Sequence, residues 1–183
     1  QNPADYLDGL EAVMVQAIVK ARDAEHGFEP ERIIGIGVDT TGSTPIPVDR
    51  DGTPLALTPR FRDNPDAAAW LWKDHTSHAE ARLITMRARD VRPHYLATCG
   101  GTYSSEWFWS KIWHCLRQSP DVYKAAYSFV ELCDWIPAVL GAAGDPRTWR
   151  RSACAAGHKA LFARTWGGLP DATFLAALDP ALA

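Results

Sequence analysis

The chain has 183 residues, 46% of them hydrophobic and 22% charged, and a net charge of −3. That length suits one domain with a real core, and the charge balance points to no nucleic-acid or acidic-membrane partner. No apolar run approaches the roughly 18 residues that a membrane helix needs.

Asn2-Pro3 is a helix start, with Asn at the N-cap and Pro at the first helical position. Tyr6, Leu7, Leu10, Val13, Met14 and Ile18 then recur at helical spacing, and Gly27 can end the helix. The β-branched run Ile33 to Val38 predicts a buried strand. Gly35 and Gly37 inside it predict close approach of a backbone or a ligand. The strand breaks into Asp39-Thr40-Thr41-Gly42-Ser43-Thr44, five hydroxyl or carboxylate side chains around one glycine. Pro45 to Val48 resumes extended, and Asp51-Gly52 is a hairpin-turn signal. A polar elbow at the end of a core strand is where α/β folds place ligands.

Asn64-Pro65 reads as a turn or cap, Ala67 to Trp72 as either helix or short strand, and Thr76 to Arg89 as a helix. Cys99 to Thr102 is a loop, and Ser104-Ser105-Glu106 is expected to cap a helix carrying Trp107, Phe108, Ile112 and Trp113. Ser119-Pro120 starts a short helix, Tyr127 to Val130 is a strand, and Leu132 to Leu140 is a helix ended by Gly141. Gly144 to Arg151 is a polar turn, with Arg147, Arg150 and Arg151 read as a solvated basic knot. Ser152 to Ala156 is expected to be extended and Gly157-His158-Lys159 a turn, before a last helix from Pro170 to Leu178. Strands alternating with helices imply an α/β domain.

Several catalytic patterns are excluded. Position 40 is Thr40, so the dinucleotide fingerprint fails, and the G-x-x-x-x-G-K-[ST] phosphate loop and the G-x-S-x-G elbow are absent. His75 and His78 are three apart with no third metal ligand evident. Asp39 is a possible base, or a turn-stabilising carboxylate. The four cysteines form no C-x-x-C pair, which favours reduced thiols in a cytosolic protein. Eight tryptophans are many for this length. An indole face suits the C–H face of a sugar, and Trp72, followed by Lys73-Asp74-His75, stands out from the expected core tryptophans. The chain begins without Met and stops after Ala183 without a closing element, so part of a longer protein is expected.

Five segments resemble, in order, the FGGY family of carbohydrate kinases, and within it the ribulokinase branch. They are GVDTTGSTPIPVDRDGTPL (37–55), LWKDHTSHAEA (71–81), GGTYSSEWFWSK (100–111), VELCDWIPAVLG (130–141) and RSACAAGHKALF (151–162). The resemblance implies a single domain over 1–183, part of the sugar-binding N-terminal domain of an actin-like, ribonuclease-H-like kinase. It implies transfer of the γ-phosphoryl of MgATP to a hydroxyl of L-ribulose, with D-ribulose, D-xylulose or a non-catalytic carbohydrate-binding module as alternatives. Gly42 would lie against the sugar, Trp72 would pack on it and Lys159 would hydrogen-bond it, with Thr41 and Ser43 alongside. The phosphate-binding D-x-G-T hairpin would precede Gln1, and the catalytic Asp and the nucleotide domain would follow Ala183. This segment alone would then hold neither ATP nor Mg2+ and would be inactive. A cytoplasmic protein is implied, and a homodimer is compatible with it. Two departures stand out: Thr40 replaces a usual aromatic, and Gly42 replaces a small residue such as Ala.

Overall fold

A two-stranded antiparallel ribbon joins distant parts of the chain. In the computed structural model, which describes residues 1–141 and 144–183, β1 (Pro45–Val48) pairs with β2 (Ser128–Glu131). The register sets Pro45 against Glu131 and Val48 against Ser128. Ile46, Val48 and Val130 are wholly buried. They form one core cluster with Ala69, Leu132, Trp135 and Ile136. β1 ends in the expected turn: Asp49 N–H donates to Thr53 O at 2.9 Å, and Gly52 takes φ +79°.

Eight helices surround this ribbon among the described residues. α1 (Pro3–Ala24) starts as predicted, the Asn2 side chain accepting from Ala4 N–H. Tyr6, Leu7 and Leu10 pack on the ribbon cluster, whereas Val13, Val15 and Val19 farther along are exposed. α2 (His78–Val91), α3 (Pro93–Ala97), α4 (Phe108–Gln118) and α8 (Ala172–Leu178) share a second core around Ile84, Tyr95, Ile112, Trp113 and Phe174. α5 (Pro120–Ala125) closes a third, smaller cluster through Val122, together with Leu55, Phe61 and Trp70. α6 (Leu132–Gly141) continues straight from β2, and α7 (Ala153–Ala160) follows the polar turn. The fold is mixed α and β with a small sheet.

The structure corrects three expectations. Ile33 to Val38 is not a buried strand: it is irregular, with Ile34 fully exposed and Ile36 56% exposed. A β-branched run needs a neighbouring ladder for its N–H and C=O groups, and among the described residues the sole ladder is β1–β2. Ser152 to Lys159 is helical rather than extended and turned. The Ser152 hydroxyl accepts from Ala155 N–H, and Ala153, Ala155 and Ala156 favour helix strongly. Gly157 kinks the helix (φ −43°, ψ −113°) without ending it; Leu161, left-handed at φ +55°, ends it. Finally, α4 starts after Trp107 with no side-chain cap, because the Ser104 hydroxyl accepts from Glu106 N–H in a separate turn. The 67–72 stretch left open above is a 3₁₀ turn (Pro65–Ala67) capped by Asn64, followed by irregular chain.

Candidate functional site

The elbow before β1 is held by its backbone. Thr44 N–H donates to Glu131 Oε2 at 2.7 Å, and its carbonyl accepts from Leu132 N–H at 3.0 Å. The Thr41 and Thr44 hydroxyls lie 3.2 Å apart. Ser43 sits in the left-handed region at φ +70°, buried, its hydroxyl without a hydrogen-bond partner among the described residues. Thr41 is exposed at the rim.

Lys111 on α4 reaches this elbow from below. Its ammonium donates to Ser43 O and to Leu71 O, both at 2.7 Å, and lies 3.5 Å from Trp72 O. Trp70 N–H donates to Pro45 O at 3.1 Å, so the 70–72 segment runs beside the elbow. Trp72 itself is 42% exposed, unlike Trp70, Trp113 and Trp135, which are core.

α7 brings Lys159 over the same place. Its start is fixed by Asp134 Oδ1, which accepts from Ser152 N–H at 2.7 Å. Its end is fixed by the Tyr103 hydroxyl, which donates to Lys159 O, and by Trp109 Nε1, which donates to Ala160 O at 2.8 Å. A Cβ placed on Gly42 would stand 2.8 Å from Lys159 Nζ and 3.7 Å from Ala155 Cβ. The ammonium therefore lies directly against the Gly42 backbone, in space that a side chain at 42 would contest. No ion pair holds Lys159 among the described residues.

Burial dominates the electrostatics beneath the elbow. It pulls the Lys111 ammonium down to about 8, against the Glu131 and Asp74 carboxylates, which favour the charge. It pushes Glu131 up to about 7, opposed by the Thr44 N–H and by Lys111. Asp134 is also raised by burial, its Ser152 hydrogen bond acting the other way.

Of the residues singled out by sequence, Gly42, Ser43 and Lys159 meet at the elbow, and Trp72 is tied beside it through its main chain. The groove of about 480 Å³ lined by His78, Arg82, Thr85 and Arg89 is elsewhere. Asp39 is exposed on the irregular stretch. The His75 ring meets the Ser105 hydroxyl at 2.9 Å and Glu106 at 3.4 Å. The basic knot is used structurally: Arg147 stacks over Tyr127 at 3.9 Å, and Arg151 donates to Pro146 O. All four cysteines are free, and burial pushes the Cys115 and Cys133 thiols up to about 12.

Sequence reasoning missed Lys111 and Glu131. Lys111 lies on the apolar stripe 108, 111, 112, 115 of α4, where a charge at core spacing is the available signal. Glu131 interrupts the run Phe129-Val130-Glu131-Leu132, a similar anomaly. No three His, Cys, Asp or Glu side chains converge among the described residues.

No family model matches the chain. Curated relatives do match it from end to end. It is 47% identical over 182 residues to the ribulokinase of Vibrio parahaemolyticus, covering 99% of this chain and 31% of that protein. The ribulokinase of Shouchella clausii is 39% identical over 183 residues, covering 100% of this chain and 31% of that protein. That of Geobacillus thermodenitrificans is 36% identical over 182 residues, covering 100% and 30%. The chain thus spans about 31% of the length of the first of these relatives. Along its whole length the chain is therefore similar to one segment of these ribulokinases, at 36–47% identity.

Proposed function

We propose that this chain is the sugar-binding part of an ATP-dependent kinase that phosphorylates L-ribulose in arabinose breakdown. In this reading it forms part of a ribonuclease-H-like N-terminal domain of a longer, cytoplasmic protein. The observation that carries it is the Lys159 ammonium set against Gly42 at a hydroxyl-rich elbow. A ketopentose is neutral and rich in oxygen acceptors, and a hydrogen bond from a charged donor contributes about 1.5–3 kcal/mol. Lys159 supplies that donor, the exposed Thr41 supplies a hydroxyl with the buried Ser43 shaping the bend beside it, and the exposed Trp72 indole offers a flat face for sugar C–H groups. Gly42 leaves the room beside its backbone that the Lys159 ammonium takes.

The groups that handle the phosphoryl transfer belong, on this reading, to parts of the protein outside the segment, so the segment by itself binds sugar weakly and turns nothing over. The test is steady-state kinetics of the full-length protein with L-ribulose, D-ribulose and D-xylulose at saturating MgATP. The highest kcat/KM is expected for L-ribulose. A preference for either other ketose would reassign the substrate. Sugar binding without phosphorylation of any ketose would instead favour a non-catalytic carbohydrate-binding module.

A further inference from the structure

Two buried side chains of opposite charge type grip the two ends of one peptide group. The Ser43 carbonyl and the Thr44 N–H belong to the same peptide unit. Lys111, 1% exposed, donates to the carbonyl at 2.7 Å, and Glu131, 6% exposed, accepts from the N–H at 2.7 Å. Glu131 Oε1 has no hydrogen-bond partner among the described residues, so the carboxyl's contact with this peptide is its direct one. Ser43, just before the peptide, has φ +70°, a conformation that residues with a Cβ hold only when their surroundings fix it. The peptide plane cannot turn without breaking both contacts, so the pair fixes the C-terminal side of Ser43, the residue with the left-handed φ. Gly42, the residue facing Lys159, immediately precedes this pinned bend.

The same ammonium donates to Leu71 O at 2.7 Å and approaches Trp72 O at 3.5 Å. One nitrogen therefore sets both the elbow and the start of the tryptophan segment. Buried charged groups are poor contributors to stability and better explained by specificity. Glycine at 43 would relieve the left-handed conformation, whereas an apolar residue at 111 would take from the Ser43 and Leu71 carbonyls the donor they share. We propose that Lys111 and Glu131 are positioning residues for sugar binding, fixing the Ser43–Thr44 peptide and the Trp72 main chain in the geometry that the sugar meets. This rests on the kinase reading above.

The test uses the full-length protein, with KM for L-ribulose, KM for ATP, kcat and Tm measured for Glu131→Gln, Glu131→Leu and Lys111→Met. Gln keeps an oxygen for the Thr44 N–H, and its sugar KM should stay within about threefold of wild type. Leu lacks that oxygen, and Lys111→Met lacks the ammonium; both should raise the sugar KM about tenfold or more while the ATP KM stays within about twofold. A folded Lys111→Met protein with an unchanged sugar KM would overturn the proposal. So would Glu131→Gln as damaged as Glu131→Leu, or sugar and ATP KM rising together in step with lost Tm. If Lys111→Met does not fold, the two Glu131 variants decide alone. A wild-type protein that phosphorylates no ketopentose would sink the kinase reading and this inference with it; wild-type activity with unaffected variants sinks the inference alone.

Discussion

At the residue scale, the proposed sugar site turns on one ammonium whose place is set by what surrounds it. The Tyr103 hydroxyl and Trp109 indole hold the end of α7, and Gly42 leaves the space that Lys159 Nζ uses. Replacing Lys159 with Met keeps most of the side-chain volume and removes the donor. In the full-length protein it should cost about 1.5–3 kcal/mol in kcat/KM for the sugar. A loss below about 0.5 kcal/mol in the same assay would make Lys159 a surface lysine.

Glu131 carries a pH dependence with a definite sign. Burial raises its carboxyl from an ordinary 4.5 to about 7, so in that window the folded chain keeps a proton that the unfolded chain gives up. Its contribution favours folding in acid and is lost as pH rises through about 7. Lys111, lowered from 10.5 to about 8, acts higher on the scale: between those values the folded chain has already released its proton, and stability rises with pH. Comparing Tm against pH for wild type and Glu131→Gln should show the wild type losing ground to the variant between pH 4.5 and about 7. A constant difference across that window would contradict the assignment.

At the element scale, the turn after β1 is the most constrained joint. Gly52 has φ +79°, a Cβ there would collide with the Trp149 ring, and its carbonyl accepts from Trp135 Nε1 at 3.1 Å. Gly52→Ala should therefore destabilise the protein by about 1–2 kcal/mol from the backbone conformation alone, and by more once Trp149 is displaced. Thermal or urea unfolding measures it, and a neutral Ala variant would show that the turn relaxes freely. This turn was legible in Asp51-Gly52, as α1 was in Asn2-Pro3 and α5 in Ser119-Pro120, because caps and turns are decided by neighbouring residues. α7 was not. Gly157 and Lys159 read locally as a turn, and the anchors that keep the helix going, Asp134 at its start and Tyr103 and Trp109 at its end, are remote in sequence. Lys159 and Gly42 are likewise far apart in the chain, so their contact could be read only through family resemblance. Lys111 escaped notice because three remote carbonyls explain its burial.

At the scale of the molecule, the β-branched stretch 33–38 and the outer half of α1 carry apolar side chains that face outward. Ile33 N–H bonds to Pro30 O, and beyond it the stretch takes part in no strand among the described residues. If the chain works within a longer kinase, the 33–38 run should gain a strand partner there. Amide exchange over 34–38 should then be about 100-fold slower in the full-length protein than in the isolated segment. Equally fast exchange in both would mean that the run stays unpaired. In the proposed function, the Gly42 elbow, the Trp72 segment and Lys159 serve the sugar and not the nucleotide. The most direct measurement is the pair of Michaelis constants of full-length Trp72→Ala. The sugar KM should rise about tenfold or more with the ATP KM nearly unchanged, and equal losses for both ligands would contradict the claim.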